Sequence, residues 1–524
     1  MINAHKSANN EFQTAPRLLC WRGFPWVIST AAVALYGCYL FSTHRKLVVN
    51  DLFGYVWMAL EERNKGLGRS TNSVMPAGYP ILLNLVHACG VSYMNAGRAL
   101  SLVAGIPLLA FVWLGASMWG QFPWAGLVAW YLTITSYGVL LSLATPLPDL
   151  IALSMAFPLI TMLPKADRSL CQLFVAALFA GLACCLRYVF IQSVVPLTVT
   201  LLLVFGPQSL QNRFKQAAAI FGGLVAGLLP ETIFALRAGH VPFQNSSKYY
   251  LRLLTGEADF FKVGTQLRGM KSTFGYIADH LAQIVQVWAL AYMRNVALFA
   301  VVPAVIWWFS TKCSTGGNRE KRYADIRRRM GVLIVFQAAL LIPISLRQPL
   351  PYYATPILLS VAYVAASLPL VRLVSRSRFL VGVLVLILVA LTIVQVRTVA
   401  IKFTRYGHFA DLNSAIAAEI RRLGVRDSSE VLNLVTPFDL FWPYGERSPL
   451  IYYTLREPGW LALTNTLERE RPFIFELTKD NLAKFRIVLV RSQPCGSRNE
   501  LLSGFMFVKQ IDGIDIYQAT LPKK

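Results

Sequence analysis

Apolar segments long enough to cross a bilayer follow one another along most of this chain, and they restrict its fold more than any other feature. About eleven segments reach, or nearly reach, the length needed to cross a hydrocarbon core of roughly 30 Å. They lie near residues 24–41, 97–117, 123–143, 149–164, 170–186, 188–206, 216–235, 284–310, 331–346, 353–371 and 379–396. With 55% hydrophobic and only 15% charged residues, the composition is that of a polytopic α-helical membrane protein. No small-residue cleavage site follows the first segment, so we expect it to be retained as a span.

The chain carries a formal net charge of +24. In a soluble protein this excess of Lys and Arg would suggest nucleic acid, but no soluble basic module is evident here, and we expect no nucleic-acid partner. In membrane proteins, basic residues concentrate in cytoplasmic loops and at sites for lipid phosphates. The eight cysteines are scattered without metal-ligand spacing, and the adjacent pair Cys184–Cys185 inside a span indicates packing.

One shorter apolar stretch, Pro76–Val91, decides the orientation of everything that follows it. If it crosses the membrane, the strongly basic loop Thr311–Met330 falls on the outer side, against the positive-inside rule. If it lies along the outer surface, this loop and the other basic loops near 165–168, 213–215 and 372–378 all fall inside. We therefore expect Pro76–Val91 to be an interfacial amphipathic helix, entered through Pro76 and Pro80.

This orientation places the N-terminus in the cytoplasm and the C-terminus outside, in a cytoplasmic (inner) membrane protein of about eleven spans. The outer side then holds residues 43–91, the turn at 144–149, Arg187, the loop near 236–282, residues 347–353 and everything after about 397. Polar residues that could carry chemistry therefore concentrate on the outer face.

The C-terminal region changes character. "FADLNSAIAAEIRRLG" places Leu412, Ile416, Ile420 and Leu423 at helical spacing and ends at Gly424. "SSEVLNLV", "FRIVLV" and "FMFVKQIDGIDIYQA" predict strands, the last a hairpin around Asp512–Gly513. We therefore expect residues 1–396 to form a transmembrane domain, with outer juxtamembrane helices in 42–95, and residues 397–524 to form a small extracytoplasmic α/β domain.

Two aspartates lie on the predicted outer face, each beginning or preceding an outer element. Asp51 follows the first span, and Asp149 follows Pro148 at the start of another. A carboxylate at a membrane boundary can act as a general base toward an acceptor hydroxyl, although it can equally cap a helix or pair with a nearby cation. For Asp149 both interpretations stay open, and for Asp51 the functional one is favoured. Glu61 and Glu62 are expected on a solvated helix face.

Basic side chains from separate segments collect on the same face. They are Arg69, Arg98, Arg187 and Arg347, each near the end of an apolar segment. Any single one can simply extend to lipid headgroups, but four that face one side favour an anionic ligand, because a guanidinium binds phosphate with fork geometry. His87 is more typical of a packed or interfacial histidine than of a base.

Several motifs are missing. The sequence has no P-loop, no GxGxxG after a strand, no HExxH, no CxxC and no ladder of intramembrane acidic residues. An energy-driven transporter should show one of these, so transport coupled to nucleotide hydrolysis or to ion flow is disfavoured.

The order of the remaining motifs resembles that of a known superfamily. Asp51 follows the first span, and after it come "PAGYPILL", "AGRALSLVAG", "PLPDLIAL" and "RQPLPYYATPILL". This arrangement is similar to the GT-C membrane glycosyltransferases, above all the protein O-mannosyltransferases, their bacterial relatives and the aminoarabinose transferase that modifies lipid A. The resemblance covers about residues 24–400.

The resemblance implies roles for individual residues. Asp51 holds the place of the family's catalytic base, although Leu52 replaces the second acid of the usual pair. Asp149 matches the second outer Asp, and Arg98 matches the Arg that opens the second span. Arg69 is the candidate substitute for a Lys that the family often has beside its doubled proline. The late Arg followed by Tyr and Pro is matched by Arg347, Tyr352, Tyr353 and Pro356.

The resemblance also implies the reaction. One sugar would pass from a polyprenyl-phosphate donor to a hydroxyl of a lipid, polysaccharide or protein acceptor at the outer face, with inversion at the anomeric carbon. Catalysis would fall to Asp51 and Asp149, phosphate binding to the four arginines, and further substrate contacts to Tyr79, His87, Tyr352 and Tyr353. No metal is required by this logic, although the acidic groups could hold a divalent ion weakly. A lipid-linked oligosaccharide flippase and an O-antigen ligase or polymerase remain as alternatives.

Overall fold

The structure is a computed structural model of the 524-residue chain. It describes residues 19, 21–43, 50–68, 76–120, 123–162, 169–187, 209–237, 281–282, 378–425, 430–433, 485–491, 502 and 504–520. Ten α-helices lie in these ranges: α1 Phe24–Thr43, α2 Asn50–Lys65, α3 Gly78–Ala88, α4 Tyr93–Gly120, α5 Pro123–Ile134, α6 Tyr137–Ala144, α7 Asp149–Met162, α8 Leu170–Leu186, α9 Leu210–Arg237 and α10 Arg378–Arg422. Four strands follow: β1 Val431–Asn433, β2 Ile487–Arg491, β3 Phe505–Ile511 and β4 Ile514–Ala519.

The chain divides into two compact units, which are described separately below. The first comprises Met1–Thr43, Arg98–Pro230 and Ala282–Ile401. The second comprises His44–Gly97, Glu231–Leu281 and Lys402–Lys524. The first unit therefore contains most of the apolar helices, and the second contains α2, α3 and the sheet.

Three of the described helices are long and apolar enough to cross a membrane: α1, the Asn95–Ser117 part of α4, and α9. The count rises to four if α5 and α6 together make one bent span. Shorter apolar helices include Asp149–Leu159, Leu170–Leu186 and Leu388–Ile401. The predicted spans near 188–206, 284–310, 331–346 and 353–371 lie outside the described residues. These helices support a membrane location, and the number of spans stays a prediction.

The segment 123–143, predicted as one span, consists of two helices whose axes differ by 59°. Hydroxyl groups explain the break. Thr135 and Ser136 donate hydrogen bonds back to the carbonyl oxygens of Tyr131 and Thr133, over 2.8 Å and 2.7 Å. The Ser136 oxygen also accepts from the Val139 N–H, so Ser136 caps α6. Side-chain hydrogen bonds of this kind compete with the helix ladder and end one helix as the next begins.

Helices α1 and α4 run antiparallel. Near the start of α1, Trp26 packs edge-on against Phe111, with ring centroids 5.5 Å apart. Further along α1, a Cβ placed on Gly37 would lie 3.2 Å from Leu102 Cδ1. The partner residue number falls as the number along α1 rises, so the two helices cross in opposite directions.

Helix α1 and the α5–α6 pair run parallel. Trp130 Nε1–H donates to Ser29 Oγ over 3.0 Å, and the Tyr36 hydroxyl donates to the Leu140 carbonyl oxygen over 2.9 Å. The partner numbers now rise together. Parallel helices require an odd number of crossings between them, and α4 supplies one.

Helix α3 lies in the chain between α1 and α4 and contains only 11 residues. At 1.5 Å per residue it is about 16 Å long, roughly half of a hydrocarbon core. The predicted helix within Pro76–Val91 is therefore confirmed as a helix, and it is too short to cross. Its length agrees with the antiparallel arrangement of α1 and α4.

The final described helix, α10, is 45 residues long and continuous. The sequence predicted a span at 379–396 and a separate amphipathic helix beginning near Phe409. Instead, one helix passes without a break through residue 397, where the two domains were predicted to meet. It ends before Gly424, which has a φ of 75° and so takes the left-handed conformation that glycine adopts freely.

The C-terminal strands form a four-stranded sheet in the order β1-β2-β4-β3. Strand β1 pairs parallel to β2, and the other pairings are antiparallel. The β3–β4 hairpin turns at Asp512–Gly513, where both residues have positive φ, as predicted. The C-terminal end of α10 covers the sheet, and the shared core consists of Leu412, Ile416, Ile420, Val425, Val431, Ile487, Leu489, Ile514 and Ile516. The predicted small α/β fold is thus confirmed in outline.

Candidate functional site

Residue Asp51 is the second residue of α2. This position lies in the first turn, where the unpaired N–H groups and the helix dipole favour a carboxylate. Residue 51 is one turn before Tyr55, so both occupy the same face of the helix. Tyr55, Met58 and Ala59 on this face are all buried. The predicted base therefore begins a helix whose inner face is packed against protein.

Helix α3 supplies that packing. The rings of Tyr55 and Tyr79 meet edge to face, with centroids 5.0 Å apart, and both residues are fully buried. One turn further along α2, the Asn84 side-chain amide donates to the Ala59 carbonyl oxygen over 2.8 Å. The Tyr93 hydroxyl donates to the other end of the same amide, Asn84 Oδ1, over 2.8 Å. These contacts hold α2, and with it residue 51, in a fixed position relative to α3.

His87 lies in the last turn of α3 and contacts the backbone of the turn that follows this helix. Its Nδ1 is 2.8 Å from the Val91 carbonyl oxygen, which can only accept, so Nδ1 carries the proton. The imidazole also stacks on Tyr93, with ring centroids 4.0 Å apart. The contacts match those of a packed histidine that fixes the turn through Gly90, whose φ is 85°. A substrate contact for His87 or Tyr79 stays a prediction.

Asp149 and Arg187, predicted for two different tasks, lie together. Asp149 begins α7, and Arg187 directly follows α8. Arg187 Nε is 3.3 Å from Asp149 Oδ1, and each residue is only 8% exposed. A buried carboxylate next to a guanidinium has its charge balanced, and the pair joins the adjacent ends of two antiparallel helices. This contact favours the ion-pair interpretation of Asp149 that the sequence left open.

Arg98 is 7% exposed near the start of α4. Ser101, one turn later, donates to the carbonyl oxygen of Thr145 over 3.0 Å. That bond places the turn leading to Asp149 beside the same end of α4. A buried guanidinium here is expensive unless it meets polar partners, so its position agrees with a ligand-binding or structural task.

Four predicted site residues lie outside the described residues: Arg69, Arg347, Tyr352 and Tyr353. Within the described part of the chain, no group of three or more His, Cys, Asp or Glu residues could hold a metal ion. The expectation that no metal is required stays a prediction. Cys184 and Cys185 donate to the carbonyl oxygens of Ala180 and Gly227, which fits packing.

Two acidic residues that were not predicted to be buried lie inside the protein. Glu62 is 4% exposed, so its predicted solvated position is wrong. It lies two turns after Tyr55, on the buried face of α2. The i, i+4 charge pattern around it does not distinguish a buried position from an exposed one. Glu231 is fully buried near the end of α9 and accepts a hydrogen bond from the Ala77 N–H over 3.0 Å. An acid inside an apolar segment was the sequence signal for Glu231.

Comparisons with known proteins bear on the fold. No protein-family model and no curated protein matches this chain. The crystal structure of ArnT from Cupriavidus metallidurans bound to undecaprenyl phosphate aligns with a TM-score of 0.56 at 12% identity, over 94% of this chain and 97% of that one. The apo structure of the same protein aligns with a TM-score of 0.46 at 14% identity and the same coverage. The sequence resemblance is therefore confirmed at the level of the fold: along almost its whole length, this chain is similar in fold to ArnT.

Proposed function

We propose that this protein transfers one sugar from a polyprenyl-phosphate donor to an acceptor hydroxyl at the outer face of the cytoplasmic membrane. The observation that carries the proposal is the likeness in fold to ArnT bound to undecaprenyl phosphate, over 94% of this chain. The apolar helices supply the membrane setting that such a lipid needs. The acceptor, whether lipid, polysaccharide or protein, is left open by the proposal.

Asp51 is proposed as the general base. The acceptor oxygen attacks the anomeric carbon as the bond from that carbon to the phosphate oxygen breaks, so the configuration inverts. The proton of the hydroxyl passes to the Asp51 carboxylate, and the electron pair of the broken bond leaves with the polyprenyl phosphate. The start of a helix braced by α3 supports this assignment, because a base must be held near its substrate.

The leaving phosphate is proposed to be held by arginine side chains. Arg98, Arg69 and Arg347 keep this assignment, because a guanidinium can neutralise the charge that develops on the phosphate. Arg187 already faces Asp149 at 3.3 Å, so a phosphate there would compete with an existing carboxylate. Of the four arginines, we therefore consider Arg187 the weakest candidate for binding the phosphate. We assign Asp149 primarily a structural role, as the partner of Arg187. No metal is part of the proposed reaction.

The outer-face location is supported by the helix directions. The antiparallel directions of α1 and α4 support the proposal that both ends of the intervening chain lie at the same membrane surface. From the positive-inside rule we propose that this surface is the outer one and that the N-terminus is cytoplasmic. Cysteines introduced at Ser73 and Ser428 should react with an impermeant reagent from outside. One at Ser314 should react only after permeabilisation, and outside labelling there would place the candidate site on the wrong face.

Reconstituted transfer tests the function. Purified protein in proteoliposomes would be given undecaprenyl phosphates that carry different radiolabelled sugars, together with lipid and protein acceptors extracted from a strain that lacks the gene. We expect label in one acceptor class and release of free polyprenyl phosphate in equal amount. Movement of the intact donor between leaflets without release of phosphate would indicate a flippase. Transfer of whole glycan chains instead of single sugars would indicate a ligase or polymerase.

A further inference from the structure

We propose that Glu231 is a positioning residue, which fixes the start of α3 and, through α3, the helix α2 that carries Asp51 in its first turn. The inference rests on the proposed function only for its effect on activity. The contact itself lies within the second unit, because Glu231 and Ala77 both belong to it. Glu231 was not among the site residues predicted from the sequence.

Helix α3 lacks a cap of its own. The residue before its first turn is Ala77, which has no side-chain acceptor, and the first turn contains no acidic residue. Ser, Thr, Asp or Asn normally occupies this place and satisfies a free N–H group. Here the carboxylate of Glu231, 154 positions later in the chain, accepts the Ala77 N–H over 3.0 Å.

The next turn of α9 reinforces the contact. Phe234, three residues after Glu231, lies so close to Gly68 that a Cβ on this glycine would be 2.2 Å from the phenyl ring. Gly68 also has a φ of 76°, a conformation that other residues adopt with strain. One turn of α9 therefore contacts both Gly68, which follows α2, and Ala77, which precedes α3.

The position of α3 passes directly to α2. Tyr79 follows Ala77 by two residues and packs against Tyr55, and Asn84 donates to the Ala59 carbonyl oxygen. Tyr55 lies one helical turn after Asp51. A shift at the start of α3 would therefore move the face of α2 on which residue 51 lies. A displacement of about 1 Å at a reacting group can cost roughly a hundredfold in rate, so the effect on transfer should be large.

A distance measurement tests the positioning role without any sugar transfer. Spin labels would be attached to the native, exposed Cys89 and to Leu236→Cys, also exposed, in the full chain with the other accessible cysteines replaced. We expect a narrow distance distribution for the parent and for Glu231→Gln, because the amide oxygen can still accept. Glu231→Ala should broaden it. The control Ile233→Ala, exposed on the same helix, should not. An unchanged distribution in Glu231→Ala would overturn the proposal.

Ala77→Pro provides a second variant that leaves Glu231 in place, in case Glu231→Ala does not fold. Proline lacks the N–H donor, and the φ of −72° at Ala77 is one that proline adopts. This change should broaden the distribution as Glu231→Ala does. A distribution as narrow as that of the parent would contradict the inference.

Kinetics then separate positioning from simple stability. We expect Glu231→Ala to lower kcat by about tenfold or more, with donor binding unchanged, and Glu231→Gln to stay within about twofold of the parent. Equal losses in the two variants, or full activity in Glu231→Ala, would overturn the positioning role. If the parent protein transfers no sugar from any donor, the proposed function fails, while the distance measurement still decides whether Glu231 fixes α3.

Discussion

The two aspartates on the predicted outer face lie in the first turns of helices that are held by different kinds of contact. Asp149 opens α7 and contacts Arg187 in a buried ion pair at 3.3 Å. Asp51 is the second residue of α2, whose inner face is held by aromatic packing and by the amide of Asn84. Asp149 thus has a guanidinium as its neighbour. The helix of Asp51 is held through Tyr55 and Ala59, which lie one and two turns after residue 51.

This difference suggests a way to distinguish a structural carboxylate from a catalytic one. A buried acid that faces its own guanidinium contributes mainly to holding two helices together, and removing either partner leaves the other charge uncompensated. An acid at a braced helix start is held in place by contacts that other residues make. The same residue type at the same kind of local position is thus expected to serve stability in one unit and chemistry in the other.

The largest effect should follow from changing the proposed base. Asp51→Asn keeps the size of the side chain but removes its ability to take up a proton. Transfer should therefore fall about 10²–10⁴-fold. Binding of the polyprenyl-phosphate donor should barely change, because arginines are proposed to hold its phosphate. Purified variant and parent would be compared in a transfer assay and a lipid-binding assay.

Asp411→Asn serves as the matched control, since it makes the same chemical change at an exposed aspartate of α10. It should leave transfer unaffected. Normal transfer by Asp51→Asn would remove Asp51 from the mechanism and make Asp149 the next candidate. Loss of donor binding together with transfer would instead indicate damage to the fold.

The buried pair should dominate stability. Asp149→Asn or Arg187→Met alone leaves one buried charge without its partner and should cost about 3–5 kcal/mol of unfolding free energy. The double variant should cost less than the sum, with a coupling of roughly 1–3 kcal/mol. Unfolding in mixed micelles measures all four proteins of this double-mutant cycle. Strictly additive losses would show that the two side chains do not act as a pair.

Donor affinity should separate the arginines. Replacing a guanidinium that contacts phosphate with Ala should weaken binding of undecaprenyl phosphate by about tenfold or more, since such a contact is worth roughly 1.5–3 kcal/mol. We expect this for Arg98→Ala or Arg347→Ala, and a smaller loss for Arg187→Ala. Titration calorimetry or lipid-displacement fluorescence gives the affinities. Normal binding by all three variants would refute the phosphate assignment.

The smallest effect concerns an ion pair that is open to solvent on one side only: the Arg422 side chain is 67% exposed and the Glu419 side chain 8%. Arg422 Nε donates to Glu419 Oε1 over 2.9 Å, and this bond, with the charges of Arg422 and Lys509, holds the pKa of Glu419 below its usual 4.5. A carboxyl group whose pKa is lower in the folded than in the unfolded protein stabilises the folded state at pH values above the unfolded-state pKa. This stabilisation is lost as the pH falls through the folded-state pKa. Parent and Glu419→Gln should therefore differ slightly in unfolding temperature at pH 7, and the difference should vanish well below pH 4.5. A difference that grows on acidification would contradict this sign.

Much of the fold follows from local sequence. Apolar segments predicted α1, α4, α7, α8 and α9 because a span needs a long run of apolar side chains, and the alternation of residues around Asp512–Gly513 predicted the β3–β4 hairpin. The distribution of basic loops indicated that the stretch around α3 stays on one side. Helix length and direction agree with this prediction. The break at Ser136 was missed, because short-range hydroxyl bonds interrupt a helix without changing its hydropathy.

The sequence by itself determined that this chain is a membrane protein of helices with a small α/β region, and which residue types could bind phosphate or take up a proton. Only the tertiary structure decided that Arg187 faces Asp149, that Glu62 is buried, and that Glu231 caps a helix 154 positions away. The physical reason is that hydropathy and helix propensity act over one or two turns. The charge balance of a buried group depends instead on whichever distant segment packs against it.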